Sequence, residues 1–261
     1  MHLNCGITQT NYILYQKDRK FEYILPIFSF SKNGFMQQIV IFSGAGISAE
    51  SGLKTFRDSD GLWENHKIEE VATPEAWQHN PKLVLDFYNI RRKQVIEAKP
   101  NAAHFAILDL QKKFNVQVIT QNIDDLHERA GAKNVLHLHG EILKSKSIGT
   151  DATYPITGHE LNLGDLCKDG HQLRPDVVWF GEYVPNMTIA AEICEKADIL
   201  IVVGTSLNVY PAANLVDCVN NNCKIFLIDP KDVSLWKRKN VTHIKQNACE
   251  GLPNLIKNLI D

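Results

Sequence analysis

Paired cysteines are absent from this chain of 261 residues: none of its six cysteines stands in a Cys-x-x-Cys pair. Two such pairs are the usual ligand set of a zinc ribbon, so a structural zinc of that kind is not favoured. An excess of basic residues is absent too, since the formal net charge is -2 at pH 7, and we expect no direct nucleic-acid binding. No apolar run approaches the ~20 residues of a membrane span, so we expect no membrane insertion.

The amino terminus shows no basic segment followed by an apolar stretch and a small-residue cleavage site, which is the pattern of a secretory signal. We therefore expect a cytoplasmic protein with reduced thiols. Residues 1–35 include an apolar stretch that Pro26 interrupts, and they precede the first clear strand. We interpret them as an N-terminal extension, which either forms a helix and loop packed on the core or is poorly ordered.

A short strand followed by a glycine turn is the feature around which the chain is organised. Residues 39–42 are apolar and three of them are β-branched, which predicts a buried parallel strand. The spacing Gly44-x-Gly46-x-x-Ala49 fits the dinucleotide-binding fingerprint: the first glycine permits the turn, and the second lets a pyrophosphate approach free backbone N–H groups. By itself the pattern is also compatible with a strand-to-helix turn that binds no ligand.

The residues after this turn point away from a dehydrogenase, which would continue with a helix, a second strand and an acidic residue. Residues 52–61 are instead punctuated by glycine and place Phe56 beside Arg57, which predicts a loop over a bound cofactor. Gly-Ala-Gly-Ile-Ser-Ala-Glu-Ser-Gly followed by Thr-Phe-Arg resembles the signature of the sirtuins, the NAD-dependent protein-lysine deacylases. The resemblance extends over about residues 36–257.

This resemblance implies an NAD site assembled from distant parts of the chain. The glycine turn and Ser48 would hold the pyrophosphate, and Phe56 would shield the reactive ribose carbon from water. Asp229 would reach the adenosine ribose, although the asparagine usual two places earlier is Leu227 here. The expected cofactor-binding residues are Gly44, Ala45, Gly46, Ser48, Ala49, Thr55, Phe56, Arg57, Gln121, Asn122, Ile123, Asp124, Gly204, Thr205, Ser206, Asp229 and Ala248.

The resemblance also implies three catalytic residues, His139, Asn122 and Asp124, each just after a predicted strand. In the implied reaction the acyl oxygen attacks the ribose carbon that carried nicotinamide, and a ribose hydroxyl then loses a proton. A histidine with a near-neutral pKa suits that transfer. A lone histidine is more often structural, but the strand end and the following Gly140 favour a catalytic His139. His137 alternates with it and is predicted to face the other side of the strand.

Recognition of the acyl group is expected from the predicted helix 83–96. Tyr88 and Arg91 are three residues apart there and share a face. Their spacing resembles the sirtuin class that removes succinyl and malonyl groups, whose carboxylate an arginine and a tyrosine can bind. Without that context the pair would be surface decoration of a helix. Ala72 matches a position where that class has a small residue, which widens the pocket.

Residues 177–180 are predicted to form a further strand. The resemblance implies that this strand pairs with the substrate backbone, that Val178 and Phe180 bind substrate, and that Phe180 lines the acyl-lysine channel. The same run is also compatible with an ordinary buried strand, and the two interpretations do not exclude each other.

Zinc is where the sequence departs from the family, because most sirtuins carry two Cys-x-x-Cys pairs. Residues 144–147 here are Lys-Ser-Lys-Ser, and the second region keeps only Cys167. His159 and His171 lie near it in sequence, but their spacing is not that of a ribbon knuckle. We predict a protein without bound metal. The region would then be held by apolar contacts of Leu161, Leu163 and Leu166.

Alternating strands and helices predict an α/β fold class, namely a Rossmann-like doubly wound parallel sheet with a second, smaller inserted domain. We expect residues 36–261 to form the catalytic region, with small-domain insertions at about 62–100 and 142–175. The other strands of the sheet are predicted at 116–120, 134–138, 199–203 and 225–228.

The leading hypothesis is an NAD-dependent protein-lysine deacylase that removes acetyl and also succinyl or malonyl groups and releases nicotinamide and O-acyl-ADP-ribose. Its partners would be acylated lysine side chains of proteins, and its oligomeric state is left open. Two alternatives remain: mono-ADP-ribosyl transfer from the same site, which does not necessarily need His139, and a non-catalytic NAD-binding sensor. Intact Asn122, Asp124 and His139 argue against the sensor.

Overall fold

The computed structural model describes residues 36–54, 62–63, 66–233 and 240–261, so the expected extension 1–35 lies outside it. Its strands are β1 (Gln38–Ser43), β2 (Leu62–Trp63), β3 (His66–Lys67), β4 (Asn115–Thr120), β5 (Val135–His137), β6 (Gly140–Ser147), β7 (Thr153–Pro155), β8 (Leu173–Val177), β9 (Ile199–Val203), β10 (Lys224–Ile228) and β11 (Val241–Ile244). Its helices are α1 (Gly46–Ala49), α2 (Ile68–Val71), α3 (Pro74–His79), α4 (Pro81–Glu97), α5 (Ala102–Gln111), α6 (Leu126–Arg129), α7 (Met187–Glu195), a 3₁₀ turn (Ala212–Asn214), α8 (Leu215–Cys218) and α9 (Ala248–Ile260).

A parallel sheet of six strands is the main element of the described residues, in the order β11-β10-β9-β1-β4-β5. The chain runs from β1 outward to β4 and β5, then returns to the other side of β1 and continues through β9, β10 and β11. The winding direction therefore reverses at β1. Such a reversal opens a crevice at the carboxyl ends of the strands, where ligands bind in sheets of this kind. The predicted doubly wound α/β class is confirmed.

Helices cover both faces of this sheet, and this explains why β9 and the middle of β1 are apolar. Side chains of β1, β4 and β9 pack with α5 and α9 on one face and with α7 and α8 on the other. Every residue of β9 is buried. The predicted strands 39–42, 116–120, 134–138, 199–203 and 225–228 lie on β1, β4, β5, β9 and β10. The edge strand β11 has the mixed sequence Val-Thr-His-Ile, which a search for apolar runs passes over.

The predicted strand 177–180 is wrong. The strand found there, β8, ends at Val177, and it belongs to a second, antiparallel sheet in the order β7-β6-β8. Beyond it the N–H of Val178 donates to the carbonyl of His139 at 2.9 Å, and that of Phe180 donates to the carbonyl of Ala72 at 3.0 Å. Residues 178–180 are therefore held between two separate elements and do not form a ladder with one neighbouring strand.

Residues 142–175 contribute strands to this antiparallel sheet. That they form an inserted domain with these boundaries stays a prediction. Of the three leucines expected to hold it, Leu161 is 4% exposed, but Leu163 and Leu166 are 52% and 54% exposed. Polar contacts replace the missing apolar ones: the amide of Gln172 accepts from the N–H of Gly164 at 2.8 Å and donates to neighbouring carbonyls. The expectation of an apolar attachment is thus wrong for two of the three leucines.

A buried arginine joins helix α4 to this small sheet. Arg92 is 0% exposed, and its Nε donates to the carbonyl of Ile142 at 2.7 Å. Its Nη1 donates to Oδ1 of Asn89 at 2.7 Å and to the carbonyl of His159 at 2.8 Å. Burial lowers the pKa of Arg92 to about 10, which still leaves it charged at neutral pH. One side chain therefore ties α4 to the start of β6 and to the segment before β8.

We expect Arg92→Met to lower the free energy of unfolding by about 2–4 kcal/mol, because methionine fills the space but leaves buried acceptors without their donor. Chemical denaturation would measure the change. Lys93→Met is the matched control, because Lys93 is the next residue of α4 and is exposed. Equal unfolding midpoints for the two variants would show that the Arg92 contacts contribute no net stability.

Candidate active site

A cavity of about 590 Å³ opens at the carboxyl edge of the parallel sheet and is bordered on its other side by α4 and the residues after β8. This volume is in the range of small-molecule sites. Of the predicted cofactor-binding and catalytic residues, those that line it are Ala45, Gly46, Ser48, Ala49, Gln121, Asn122, Ile123, Asp124, His139, Gly204, Thr205, Ser206, Asp229 and Ala248. The predicted substrate-binding residues that line it are Ala72, Tyr88, Arg91, Val178 and Phe180.

The remaining predicted residues have other positions. Thr55, Phe56 and Arg57 lie outside the described residues. Gly44 stands just before the cavity lining and shapes the turn. Leu227, where the family has an asparagine, is 1% exposed and packs in the core between the sheet and α7.

The glycine turn packs directly against the turn that follows β9. A Cβ on Gly46 would lie 2.7 Å from Cα of Gly204, and one on Gly44 would lie 2.7 Å from Cβ of Thr205. The N–H of Gly44 donates to the carbonyl of Val203 at 3.0 Å, and that of Gly46 to the carbonyl of Gly204 at 2.8 Å. The expectation of free N–H groups is therefore wrong at these two positions. Both glycines are required by the close contact between the turns.

Three polar side chains from two distant stretches meet in the cavity wall. The hydroxyl of Ser48 donates to Oδ2 of Asp124 at 3.0 Å and accepts from the amide of Asn122 at 3.1 Å. None of the three is more than 7% exposed. Burial raises the pKa of Asp124, although the N–H of Leu126 and the hydroxyl of Ser48 oppose this. The cluster holds a carboxyl and an amide in fixed positions in the cavity wall.

Gln121 brings an unsatisfied donor to the same wall. Its Oε1 accepts from the hydroxyl of Thr205 at 2.7 Å, while its Nε2 is buried and has no hydrogen-bond partner among the described residues. An unsatisfied buried donor is costly unless a ligand completes it. The position therefore suits a ligand that carries a hydroxyl or phosphate oxygen.

His139 faces the cavity in a defined tautomer. A carbonyl oxygen can only accept, so the 2.9 Å contact with the carbonyl of Gln121 places the proton of His139 on Nδ1. The lone pair is then on Nε2. Burial lowers the pKa of His139, and the bond to Gln121 opposes this only in part, so the imidazole is neutral at pH 7. A neutral, oriented imidazole can accept a proton.

His137 does not line the cavity, yet it contacts a residue that does, which the sequence analysis did not predict. Its Nδ1 donates to the carbonyl of Asn122 at 2.9 Å, and its Nε2 lies 2.8 Å from a carboxylate oxygen of Glu128. Burial would lower the pKa of His137, but the hydrogen bond and the charge of Glu128 raise it above the ordinary value. His139 and His137 thus donate to the consecutive carbonyls of Gln121 and Asn122. The alternation of side chains along a strand does not predict this pair of contacts.

The alternative that Tyr88 and Arg91 are ordinary exposed residues on the surface of a helix is wrong, because their side chains are 0% and 6% exposed. Both face the cavity beside Ala72, which is 2% exposed. Nη1 of Arg91 donates to Oε1 of Gln94 at 3.1 Å. Burial raises the pKa of Tyr88 far above its ordinary value, so its hydroxyl keeps its proton. This wall of the cavity carries a cation and a neutral hydroxyl.

Trp179 is a lining residue that the sequence interpretation missed, although it stands between Val178 and Phe180. Its indole N–H donates to the hydroxyl of Tyr88 at 3.2 Å. The only signal for it was its place within the stretch expected to contact substrate.

Two buried histidines pack behind the glycine turn. His127 Nε2 lies 2.9 Å from the hydroxyl of Ser43, and its ring meets that of His104 edge to face at 5.0 Å. Both rings are 0% exposed. Burial lowers the pKa of His104 to about 4 and also lowers that of His127. Both are therefore neutral in the folded protein at pH 7.

We expect stability to fall as the pH drops from 6.5 towards 4. The unfolded His104 takes up a proton near pH 6.5, whereas the folded one does so only at about 4, so protons favour the unfolded chain. The loss from His104 reaches on the order of 3 kcal/mol at the low end. Denaturation at several pH values would measure it. His104→Gln should flatten the slope and exposed His79→Gln should not; equal slopes in both variants would refute this origin.

Metal ligands are not grouped in the described ranges: no cluster of three or more His, Cys, Asp or Glu side chains could hold an ion there. Cys167 contacts the hydroxyl of Ser147 at 3.5 Å, and its N–H donates to the carbonyl of His171. The absence of zinc stays a prediction.

No helix within 36–54, 66–233 and 240–261 is long and apolar enough to cross a membrane.

A doubly wound sheet with a glycine turn, an unsatisfied amide donor and an oriented histidine at its carboxyl edge defines a Rossmann-like α/β protein with a nucleotide-type site. Residues 44–211 match the Sir2 family. The chain belongs to this family.

Curated relatives and solved structures agree with this assignment. An NAD-dependent protein deacylase of Helicobacter pylori (strain ATCC 700392 / 26695) is 51% identical over 226 residues, which are 87% of this chain and 99% of the relative. One of Bacteroides thetaiotaomicron is 47% identical over 235 residues, 86% of this chain and 99% of the relative. The crystal structure of a Sir2 homolog–NAD complex superposes with a TM-score of 0.79 at 37% identity, covering 86% of this chain and 90% of that one.

Proposed function

We propose that this protein is an NAD-dependent protein-lysine deacylase that removes succinyl and malonyl groups as well as acetyl groups. The observation that carries the proposal is the composition of one cavity: His139 and the glycine turn line one part, and buried Tyr88 and Arg91 line another. The names of the relatives support the deacylase activity and the use of NAD. The buried cation supports the acidic acyl groups.

The residues of the cavity fit NAD. The unsatisfied Nε2 of Gln121 suits an oxygen of the dinucleotide, and the buried carboxylate of Asp229 suits a ribose hydroxyl. Ser48 and the turn around Gly46 would lie at the pyrophosphate, and Asn122 with Asp124 at the nicotinamide and its ribose. When bound, NAD supplies a ribose carbon that becomes electrophilic as nicotinamide leaves.

His139 acts in this proposal as the proton acceptor. Its Nδ1–H is engaged by the carbonyl of Gln121, which holds the ring in place and favours the imidazolium once Nε2 has taken a proton. Because its pKa is lowered, the imidazole is already in the accepting form at neutral pH. With NAD bound, a ribose hydroxyl would be the group that gives its proton to His139.

The acyl group would lie against Tyr88 and Arg91. A succinyl or malonyl chain ends in a carboxylate, which the guanidinium of Arg91 can pair with and to which the hydroxyl of Tyr88 can donate. Ala72 leaves room beside them because its side chain is a single methyl group. An acetyl group is smaller and meets no obstacle, so it is accepted without these contacts. The backbone N–H groups of residues 178 and 180 already donate to carbonyls of this chain. A substrate peptide would therefore pair with this segment by donating its own N–H groups to the segment's carbonyl oxygens.

The testing experiment is incubation with NAD and a panel of lysine peptides carrying acetyl, succinyl, malonyl or succinamyl groups. The succinamyl group has the size of succinyl but no charge. We expect release of nicotinamide and O-acyl-ADP-ribose, with succinyl and malonyl turned over faster than succinamyl. ADP-ribose attached to protein without loss of acyl groups would instead support mono-ADP-ribosyl transfer. NAD binding without turnover of any peptide would support a sensor.

A further inference from the structure

We propose that Trp179 is a specificity-determining residue, whose indole N–H directs the hydroxyl of Tyr88 toward the carboxylate of an acidic acyl group. This inference rests on the proposed desuccinylase activity and deepens it. It assigns the discrimination between acidic and neutral acyl groups to a pair of residues, Trp179 and Tyr88, in addition to the charge of Arg91.

The first step is the direction of the hydrogen bond. The indole nitrogen of Trp179 lies 3.2 Å from the hydroxyl oxygen of Tyr88, and both side chains are buried. An indole N–H can only donate, so the Tyr88 oxygen is the acceptor. A phenol proton lies near the ring plane on one side of the oxygen or the other. The side occupied by the indole N–H is closed to it, so the bond selects one direction for the Tyr88 proton.

The second step is the immobility of the indole. The backbone N–H of Trp179 donates to Oε2 of Glu182 at 2.8 Å. The guanidinium of Arg174 lies 3.6 Å from the centre of the Trp179 ring and donates to both carboxylate oxygens of Glu182, at 2.8 and 2.9 Å. A further bond joins Arg174 to the carbonyl of Val177 at 2.9 Å. Arg174 and Glu182 thereby hold both the backbone and the ring of Trp179 in place. The indole N–H donor is therefore preorganised.

The third step is charge. Arg174 and Glu182 neutralise each other, so the clamp that fixes the indole brings no net charge to the acyl end of the cavity. Burial keeps Tyr88 protonated and therefore able to donate. A carboxylate in this region would meet one cation and one directed hydroxyl donor, whereas an acetyl group needs neither.

The test is a double-mutant cycle on desuccinylation and deacetylation. Trp179→Phe replaces the indole by a smaller aromatic ring that has no N–H donor, while Tyr88→Phe removes the hydroxyl. We expect each variant to lower the ratio of desuccinylation to deacetylation, taken as kcat/KM, about tenfold, mainly through the KM for succinyl-lysine. The double variant should be no worse than Tyr88→Phe alone, because the two residues act through one hydrogen bond. Trp77→Phe is the matched control, since its ring lies 5.8 Å from that of Trp179.

The outcomes separate this inference from the function on which it rests. A wild-type enzyme that ignores succinyl-lysine overturns both. A wild type that desuccinylates, with Trp179→Phe leaving the succinyl-to-acetyl ratio unchanged or with additive losses in the cycle, overturns the inference alone. Should Trp179→Phe fail to fold, the indole N–H resonance of Trp179 in the wild type provides the measurement. It should shift on Tyr88→Phe, and an unchanged resonance would overturn the inference.

Discussion

His139→Ala is expected to remove nearly all deacylation of every acyl-lysine while NAD still binds. The imidazole is neutral, oriented through Nδ1 by the carbonyl of Gln121, and placed in the cavity wall, so its removal takes away the proton acceptor. General base catalysis contributes about 10²–10⁴-fold, and we expect a loss of kcat of that size. Binding should persist because the Ser48 cluster and Gln121 are untouched. Steady-state turnover and calorimetric NAD titration measure the two parts.

The control for this variant is His159→Ala, because the side chain of His159 is partly exposed and only its carbonyl contacts Arg92. It should retain both turnover and binding. Turnover of His139→Ala near that of the wild type would exclude His139 from the mechanism. Loss of NAD binding together with turnover would show that His139 is needed to form the site, and the catalytic interpretation would then fail.

Arg91→Met is expected to lose desuccinylation and demalonylation while deacetylation changes by a few-fold at most. The guanidinium is 6% exposed and lines the cavity, so a carboxylate there gains charge-assisted hydrogen bonds of about 1.5–3 kcal/mol. This corresponds to a loss of about 10- to 150-fold in kcat/KM. Methionine keeps most of the volume, so the packing of α4 against the small sheet should survive.

Two comparisons make this result specific to the carboxylate. Lys93→Met removes a charge from the same helix at an exposed position and should leave the ratio of the two activities unchanged. In the wild type, succinamyl-lysine should behave like the Arg91→Met variant acting on succinyl-lysine, because each removes one partner of the ion pair. An equal fall of both activities in Arg91→Met would assign Arg91 a structural role.

Local patterns carried much of the fold. Helix starts depend on single side chains that are close in sequence: Oγ1 of Thr73 accepts from the N–H of Ala76 at 3.1 Å, and Oδ1 of Asn80 accepts from that of Leu83 at 3.1 Å. Strands buried on both faces, such as β9, are recognisable because every position must be apolar. The antiparallel strands β6 to β8 escaped prediction, because polar residues interrupt β6 and β8 and because β7 has only three residues, so none of them contains a long apolar run.

The site was predicted as a set of residues, and its arrangement came from the structure. The carboxyl ends of β1, β4, β9 and β10 meet because parallel strands end at the same edge, which follows from the fold class. That the N–H groups of Gly44 and Gly46 are engaged does not follow from it, because their acceptors, Val203 and Gly204, lie at the end of β9 and in the turn after it, far along the chain. Burial of Tyr88 and Arg91 likewise required the packing of α4.

The sequence by itself determined the glycine turn, the central strands, the helix caps and the identity of the chemical groups, because each depends on neighbours within a few residues. Only the tertiary structure decided that Trp179 donates to Tyr88, 91 positions away, and that Arg92 joins α4 to Ile142 and His159. The physical reason is that a buried polar atom is stabilised by any hydrogen-bond partner that folding places about 3 Å away, however distant that partner is in sequence. Spacing along the sequence carries no information about that partner.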